Sequence, residues 1–161
     1  MTEQKIISVS PSDKELLSQT EKLFDELYTY INSVEKELML APEKNAASLW
    51  IEGIKKTLGR FGQLVVAVQN EKVLGFGYGL LRFTPDHLGE KKVGYITYFY
   101  VSPSIQKKGS GKKILQQLEH WFKEKKVHSV ELQVTFNNTA GQAFWKAMGY
   151  KNEVIQLRKL F

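Results

Sequence analysis

Residues 96–101 form an unbroken run of β-branched and aromatic side chains, Ile96-Thr97-Tyr98-Phe99-Tyr100-Val101. A Ser102-Pro103 turn follows, then the basic stretch Gln106-Lys107-Lys108-Gly109-Ser110-Gly111-Lys112, then an amphipathic segment that extends to Lys126. This order dictates a strand, a glycine-punctuated loop and a helix in succession, and any fold of the chain must contain that unit. Such a unit is suited to holding a phosphate. Glycines let backbone N–H groups crowd an anion, and a helix start adds unpaired donors and the positive end of the macrodipole. Lys107, Lys108 and Lys112 contribute mobile positive charge. The plain alternative is a solvated turn that opens a helix.

Two familiar nucleotide loops are excluded. The P-loop requires four residues between its glycines and then Gly-Lys-Ser/Thr, which is absent. The dinucleotide fingerprint lacks its third glycine, since Ile114-Leu115 occupies that region. The expected ligand is therefore a phosphate that belongs neither to a nucleoside triphosphate nor to NAD.

The chain has no cysteine, which rules out disulfides, zinc–thiolate sites and a cysteine nucleophile. His87, His120 and His128 are dispersed and show no metal-ligand spacing, so no metal is expected. The net charge of +6 invites a nucleic-acid reading. Much of the excess, however, lies in the loop and its helix (Lys107, Lys108, Lys112, Lys113, Lys123, Lys125, Lys126), which fits a small polyanion equally well. No nucleic-acid module is present. No stretch is apolar enough to span a bilayer, and the first five residues have neither signal-peptide nor transit character, so a cytoplasmic protein is expected.

The 161 residues suit one domain over 1–161. Residues 6–9 predict a first strand. Ser12 and Glu15 form a capping box ahead of a helix on Leu16, Thr20, Leu23, Leu27 and Ile31. A second helix follows Pro42, with Ala47, Trp50, Ile51, Ile54 and Leu58 on one face and Gly59 as its stop. Residues 64–68 and 73–83 read as a hairpin turned at Asn70-Glu71. Residues 84–92 read as a loop and 94–101 as the strand already described. The helix after the phosphate loop has Ile114, Leu115, Leu118, Trp121 and Phe122 as its core face. Residues 130–136 predict a strand with Val130, Leu132, Val134 and Phe136 inward. Asn138 or Thr139 then caps a short helix ending at Gly149, and residues 150–157 predict a final strand. No linker or repeat divides this mixed α/β order. Gly75, Gly77 and Gly79 leave one strand face without side chains, either for close packing or as an uncluttered wall beside a ligand.

A second motif stands after the strand at 130–136: Asn137-Asn138-Thr139-Ala140-Gly141-Gln142-Ala143-Phe144-Trp145-Lys146-Ala147-Met148-Gly149-Tyr150. Together with Val101-Ser102-Pro103 and Q-K-K-G-S-G, it resembles the GNAT (GCN5-related N-acetyltransferase) family over the greater, C-terminal part of the chain. The resemblance implies a mixed, mostly antiparallel central sheet flanked by helices on both faces and splayed at the cofactor strand. It implies acetyl-CoA as cofactor, its pyrophosphate held by Gln106, Lys107, Lys108, Gly109, Ser110, Gly111 and Lys112. It also implies a pantetheine arm bonded by backbone groups of Phe99 and Val101, and a further contact from Asn137, with Asn138 as its neighbour.

Where many relatives have Phe-Tyr in the last helix, with the tyrosine as general acid, this chain has Phe144-Trp145. Ala140, Ala143, Phe144, Ala147 and Met148 are the expected apolar face of that helix. Trp145 falls about a quarter-turn off it, so its side chain either faces the cofactor or packs in the core beside Met148 and the final strand. Its indole has no proton to give, so the acid role is unassigned. A glutamate used as base by some relatives aligns with Tyr95. Tyr95, Thr97, Phe99 and Val101 share a face by alternation, and Tyr95 and Thr97 are the candidates to relay a proton through water. Asp86, His87 and Glu90 are further loop candidates.

These readings converge on an acetyl-CoA-dependent N-acetyltransferase that moves the acetyl group directly to an amine in a ternary complex. No cysteine and no G-x-S-x-G elbow supports an acyl-enzyme. The alternatives are a non-catalytic CoA-binding module and a basic nucleic-acid-binding domain. The acceptor is an amine on a small molecule or a protein. Glu35, Glu37 and Glu43 either favour a cationic one or are, as is commoner, helix-surface charge, and a homodimer is compatible with the chain.

Overall fold

The computed structural model describes residues 2–37 and 40–161. Its elements follow in the order β1 (Lys5–Val9), α1 (Lys14–Val34), α2 (Ala46–Lys55), β2 (Gly62–Gln69), β3 (Lys72–Phe83), β4 (Lys92–Val101), α3 (Ser110–Glu124), β5 (Val130–Leu132) and α4 (Thr139–Ala147). The sheet keeps sequence order, β1-β2-β3-β4-β5. Its first four strands pair antiparallel and β5 joins β4 in parallel. Asn70 and Glu71 both adopt left-handed backbone (φ 51° and 61°), the turn whose twist matches the two strands it joins.

Each sheet face carries its own core. On one face α1 and α2 bury Leu17, Phe24, Leu27, Ile51 and Ile54 against Leu64, Val66, Phe76 and Tyr78. On the other, α3 buries Ile114, Leu115, Leu118 and Phe122 against Val65, Ala67 and Ile96. The mixed sheet with helices on both faces is therefore as expected. So is the core face of α3, every member of which is buried.

The stripe Gly75, Gly77 and Gly79 is a packing surface. A Cβ at Gly77 would stand 2.8 Å from Leu118 Cδ1, and one at Gly79 would stand 2.6 Å from Phe122 Cζ. Gly94, opposite on β4, also faces Phe122 at 2.6 Å. Four missing side chains let α3 settle onto the sheet, and no free wall is left there for a ligand.

Several boundaries depart from expectation. The Ser12–Glu15 capping box does not form. Ser12 Oγ pairs with Ser10 Oγ at 2.8 Å, and Asp13 becomes the N-cap while its carboxylate accepts from the Ser10 N–H at 2.8 Å. The strand expected over 130–136 stops at Leu132, because β4 bulges opposite Tyr78/Gly79 and bends away, leaving the later residues no ladder partner. Val134 stays in the core, but Phe136 is 86% exposed. The final strand expected over 150–157 is not formed either, and residues 151–161 make no backbone hydrogen bond among the described residues.

The glycine stripe yields a paired test. Gly79→Ala should destabilise the fold by about 1–3 kcal/mol through overpacking against Phe122. Gly53→Ala, in exposed helix with nothing within 4 Å of the new methyl, should instead stabilise by about 0.5–1 kcal/mol. Denaturant midpoints of the two variants should move in opposite directions.

Candidate functional site

β4 and β5 stay paired only from Gly94↔Val130 to Ile96↔Leu132, and beyond that point they separate. The direction of the ladder shows which groups enter the gap. The Ser102 N–H donates to Leu74 O at 2.8 Å, so Val101 and Phe99, one and three residues earlier, direct their backbone groups away from β3 and towards the opening. One is engaged: Gln106 Nε2 donates to Val101 O at 2.7 Å.

The loop beyond β4 ends at the N-terminus of α3. Lys107 and Gly109 take left-handed backbone (φ 62° and 82°), and the first bond of the helix runs from the Lys113 N–H to Gly109 O at 3.1 Å. The six consecutive N–H groups from Lys107 to Lys112 donate to no backbone or side-chain acceptor among the described residues. Lys107, Lys108, Lys112 and Lys113 are exposed. The ion pairs among the described residues, Lys55–Glu52 and His120–Glu124, involve none of them. Free donors and unneutralised ammonium groups concentrated on one loop favour a polyanion. Ser110 is 1% exposed and its hydroxyl contacts Ile105 O at 3.4 Å, so its side chain braces the loop. The two glycines differ in purpose. A Cβ on Gly111 would press on Phe144 at 3.2 Å, whereas Gly109 has open space and is required by its positive φ.

The expected shared face of Tyr95, Thr97, Phe99 and Val101 is not found. The bulge inserts Thr97 between the pairs Gly79↔Ile96 and Tyr78↔Tyr98, and every later side chain changes face. Tyr95 lies opposite Leu80 on the α1/α2 face, with the Arg82 guanidinium 3.7 Å from its ring centroid. Phe99 and Val101 face α3. Thr97 Oγ1 points to Tyr78 O at 3.5 Å. Asp86, His87 and Glu90 lie at the other end of β4, roughly 15–20 Å of extended strand from the gap.

Trp145 is 9% exposed and meets Phe99, Phe144 and Tyr150 edge-on, with centroids 5.0, 4.9 and 5.3 Å away. The buried face of α4 is thus Trp145 with Phe144 and Met148. Ala140, Ala143 and Ala147, expected inside, are exposed because the indole removes far more apolar area from water than three methyls. Asn137 Nδ2 donates to Glu35 Oε2 at 2.9 Å. Asn138 caps α4 by accepting from the Gly141 N–H at 3.0 Å, and it also accepts from Tyr30 Oη at 2.8 Å.

Sequence reasoning missed Tyr30, which ties α1 to the α4 cap. It also missed the paired hydroxyls of Tyr28 and Tyr98, 3.2 Å apart, and the Glu26 carboxylate 3.5 Å from both Tyr100 Oη and Ser102 Oγ. Burial, with Tyr28 beside it, pushes the Tyr98 hydroxyl well above the ordinary tyrosine range. No local motif marks these groups. Only the helical period of α1, which brings Glu26 and Tyr30 onto one side, hinted at them.

The family model described as acetyltransferase (GNAT) family matches residues 21–150. No curated protein matches the chain by sequence. Among solved structures, an aminoglycoside N-acetyltransferase in complex with CoA superposes with a TM-score of 0.77 at 18% identity, covering 99% of this chain and 96% of that one. A protein described as a predicted acetyltransferase, with acetyl-CoA, from Clostridium acetobutylicum gives 0.75 at 16% identity over 98% and 96%. A glucosamine-6-phosphate N-acetyltransferase from Arabidopsis thaliana gives 0.68 at 20% identity over 99% of both chains. At these identities the likeness is one of fold.

Trp145 provides the test of this packing. Trp145→Ala should cost about 3–5 kcal/mol of stability, and Trp145→Phe, which keeps a ring against Phe99, distinctly less. A denaturation midpoint unchanged in the alanine variant would be incompatible with the observed burial.

Proposed function

The chain belongs to the acetyltransferase (GNAT) family, and we propose that it transfers the acetyl group of acetyl-CoA directly to an amine held in the same complex. The observation that carries this reading is the run of six N–H groups without a partner among the described residues, on a basic loop beside the gap between β4 and β5. In this reading Gln106, Lys107, Lys108, Gly109, Ser110, Gly111 and Lys112 take the pyrophosphate. The gap-facing backbone of Phe99 and Val101 takes the amides of the pantetheine arm. Gln106 then has to release Val101 O or share it. Trp145 supports the wall through Phe99, and Asn137 closes the α1 side.

When bound, acetyl-CoA supplies an activated thioester, and the protein supplies position. Holding the two reactants together replaces an encounter in solution, a contribution that needs no protein nucleophile. The acceptor amine must shed a proton, since a lysine-type amine has a pKa of about 10.4. We assign that proton to a water ordered by Thr97 at the bulge and Tyr95 beside it. A thiol pKa near 8.5 lets the thiolate leave with little help, so the missing acid at Trp145 is tolerated near neutral pH.

The acceptor is a small-molecule or protein amine. Its cationic character is supported by Glu35 and Glu26 on the side of α1 that faces β4 and α4. The same reading is compatible with a cytoplasmic protein and with a homodimer. Among the described residues no helix is long and apolar enough to cross a membrane.

Two measurements test this reading. CoA at a hundred times its Kd should stabilise the fold by about 2.7 kcal/mol, seen as a clear rise in Tm, with much smaller shifts from NAD and ATP. A larger shift with ATP than with CoA would rule the reading out. Thiol release over a panel of amines then separates an enzyme from a silent CoA binder. Gly109→Val should weaken CoA binding at least about tenfold, roughly 1.4 kcal/mol, because valine resists the positive φ that points the loop donors outward. Unchanged affinity by calorimetry would remove the loop from the site.

A further inference from the structure

The register of the sheet sets three side chains in a row on the α1/α2 face, one from each of the last three strands. Tyr95 of β4 pairs with Glu131 of β5, and residues paired in a ladder share a face. The pairs on either side, Gly94↔Val130 and Ile96↔Leu132, turn to α3, which fixes Glu131 with Tyr95 on the opposite side. On the other flank, Arg82 of β3 holds its guanidinium 3.7 Å from the Tyr95 ring centroid. The helices α1 and α2 pack on Phe76, Tyr78 and Tyr98 but leave both ends of this row, Arg82 and Glu131, exposed.

Each end carries an unneutralised charge. The ion pairs among the described residues, Lys55–Glu52 and His120–Glu124, include neither Arg82 nor Glu131. The acids that follow Arg82 in the next loop, Asp86 and Glu90, do not pair with it. A guanidinium held against an aromatic ring is fixed in place while its N–H donors stay available, and that fork grips a carboxylate or a phosphate through two parallel bonds. Glu131 supplies the opposite charge two strand spacings away, about 10 Å, with the Tyr95 ring between.

The row also stands where the acetyl group would arrive. In the acetyl-transfer reading, on which this inference rests, the pantetheine arm runs down the gap past Val101 and Phe99, and its thioester ends where β4 and β5 rejoin at Ile96↔Leu132. Tyr95↔Glu131 is the next pair. Glu35 accepts from Asn137 and Glu26 stands beside Tyr100 and Ser102, so the carboxylate free at this point is Glu131. We infer that the acceptor is an amine that also carries an anionic group, a carboxylate or a phosphate, several carbons from its nitrogen. Glu131 holds the ammonium end beside the thioester, Arg82 holds the anion, and the Tyr95 ring lies under the chain between them. A plain alkylamine satisfies one end only, and a polyamine sets a second cation against Arg82.

The test is thiol release from acetyl-CoA with matched acceptors: γ-aminobutyrate and ε-aminohexanoate against butylamine and hexylamine, and phosphoethanolamine against ethanolamine. For the best acid, kcat/KM should exceed that of its counterpart lacking the acid group by at least about tenfold, and the better of the carboxylate and phosphate arms identifies the anion. In Arg82→Gln that ratio should fall to near one. Arg82→Lys keeps the charge without the fork and should fall between. Calorimetry on the CoA-loaded chain should show the same acids binding about tenfold more weakly to Arg82→Gln, with CoA affinity unchanged. Alkylamines used as well as the acids, turnover of other amines but of none of the acids, or a preference that survives in Arg82→Gln would overturn the inference while acetyl transfer stands. A chain that binds CoA and releases thiol with no amine would sink the acetyl-transfer reading instead. Calorimetry then still decides, because acids that bind no more tightly than their counterparts remove Arg82 from the site. Should Arg82→Gln fail to fold, an Arg82→Lys ratio equal to the wild-type value would overturn the assignment alone.

Discussion

The structure depends on how closely α3 can approach the sheet. A helix packed on a sheet of ordinary residues is held off by the Cβ layer. Here Gly75, Gly77 and Gly79 of β3 and Gly94 of β4 remove that layer beneath Ile114, Leu118 and Phe122. The helix settles until Phe122 touches strand backbone, and Ile114, Leu118 and Phe122 are fully buried. Close seating has a consequence at the other end of the helix. It brings the α3 N-terminus level with the end of β4, where only a short turn, Pro103–Ile105, separates strand from loop. Donors that need an anion are thereby fixed beside a strand edge that has lost its partner.

That lost partner traces to a single residue. Thr97 is the extra residue of a bulge, and three effects follow from it. β4 bends out of register with β5, which opens the gap. The side chains after it change face, so Tyr98 and Tyr100 join the α1/α2 core while Phe99 and Val101 turn to α3. The backbone groups of Phe99 and Val101 are left facing the opening. A regular strand would have closed the sheet and paired them. The bulge thus exchanges local ladder bonds for a cleft lined by main-chain donors and acceptors, while the glycine stripe keeps the rest of the sheet tightly covered.

Much of this was readable in the residues. The order strand–loop–helix around Gly109 and Gly111, the hairpin at Asn70-Glu71 and the buried face of α3 follow from periodicity and turn chemistry, which act locally. What escaped was set by distant packing. Thr97 lies in a uniformly β-prone run, and nothing in it marks which residue will be extra, because the bulge is decided across the ladder at Tyr78 and Gly79. The Ser12 capping box is a sound local signal, but Ser12 Oγ pairs with Ser10 Oγ and the helix begins one residue later, at an Asp13 whose carboxylate turns back to the Ser10 N–H. The strands expected at 133–136 and 150–157 have the right composition but no ladder partner among the described residues, and a strand's stability resides in its neighbours. The face of α4 was misjudged because three alanines were weighed against one tryptophan by count, whereas burial goes by area.

The position of Trp145 changes how the two sides of the gap divide their work. Its indole is committed to Phe99, Phe144 and Tyr150, and so it holds β4, α4 and the following segment together as one apolar wall. Polar function on that side is left to main chain. The opposite side is furnished by α1: Tyr30 reaches the cap of α4 through Asn138, Glu35 holds Asn137, and Glu26 stands near Tyr100 and Ser102. One long helix thus touches both the strand that borders the gap and the helix that closes it. A shift of α1 along its axis would move Glu26, Tyr30 and Glu35 together while leaving α3 and its loop undisturbed on the glycine stripe. Anion binding and the α1-lined side of the gap are therefore mechanically separable, one anchored by α3 and the other carried by α1.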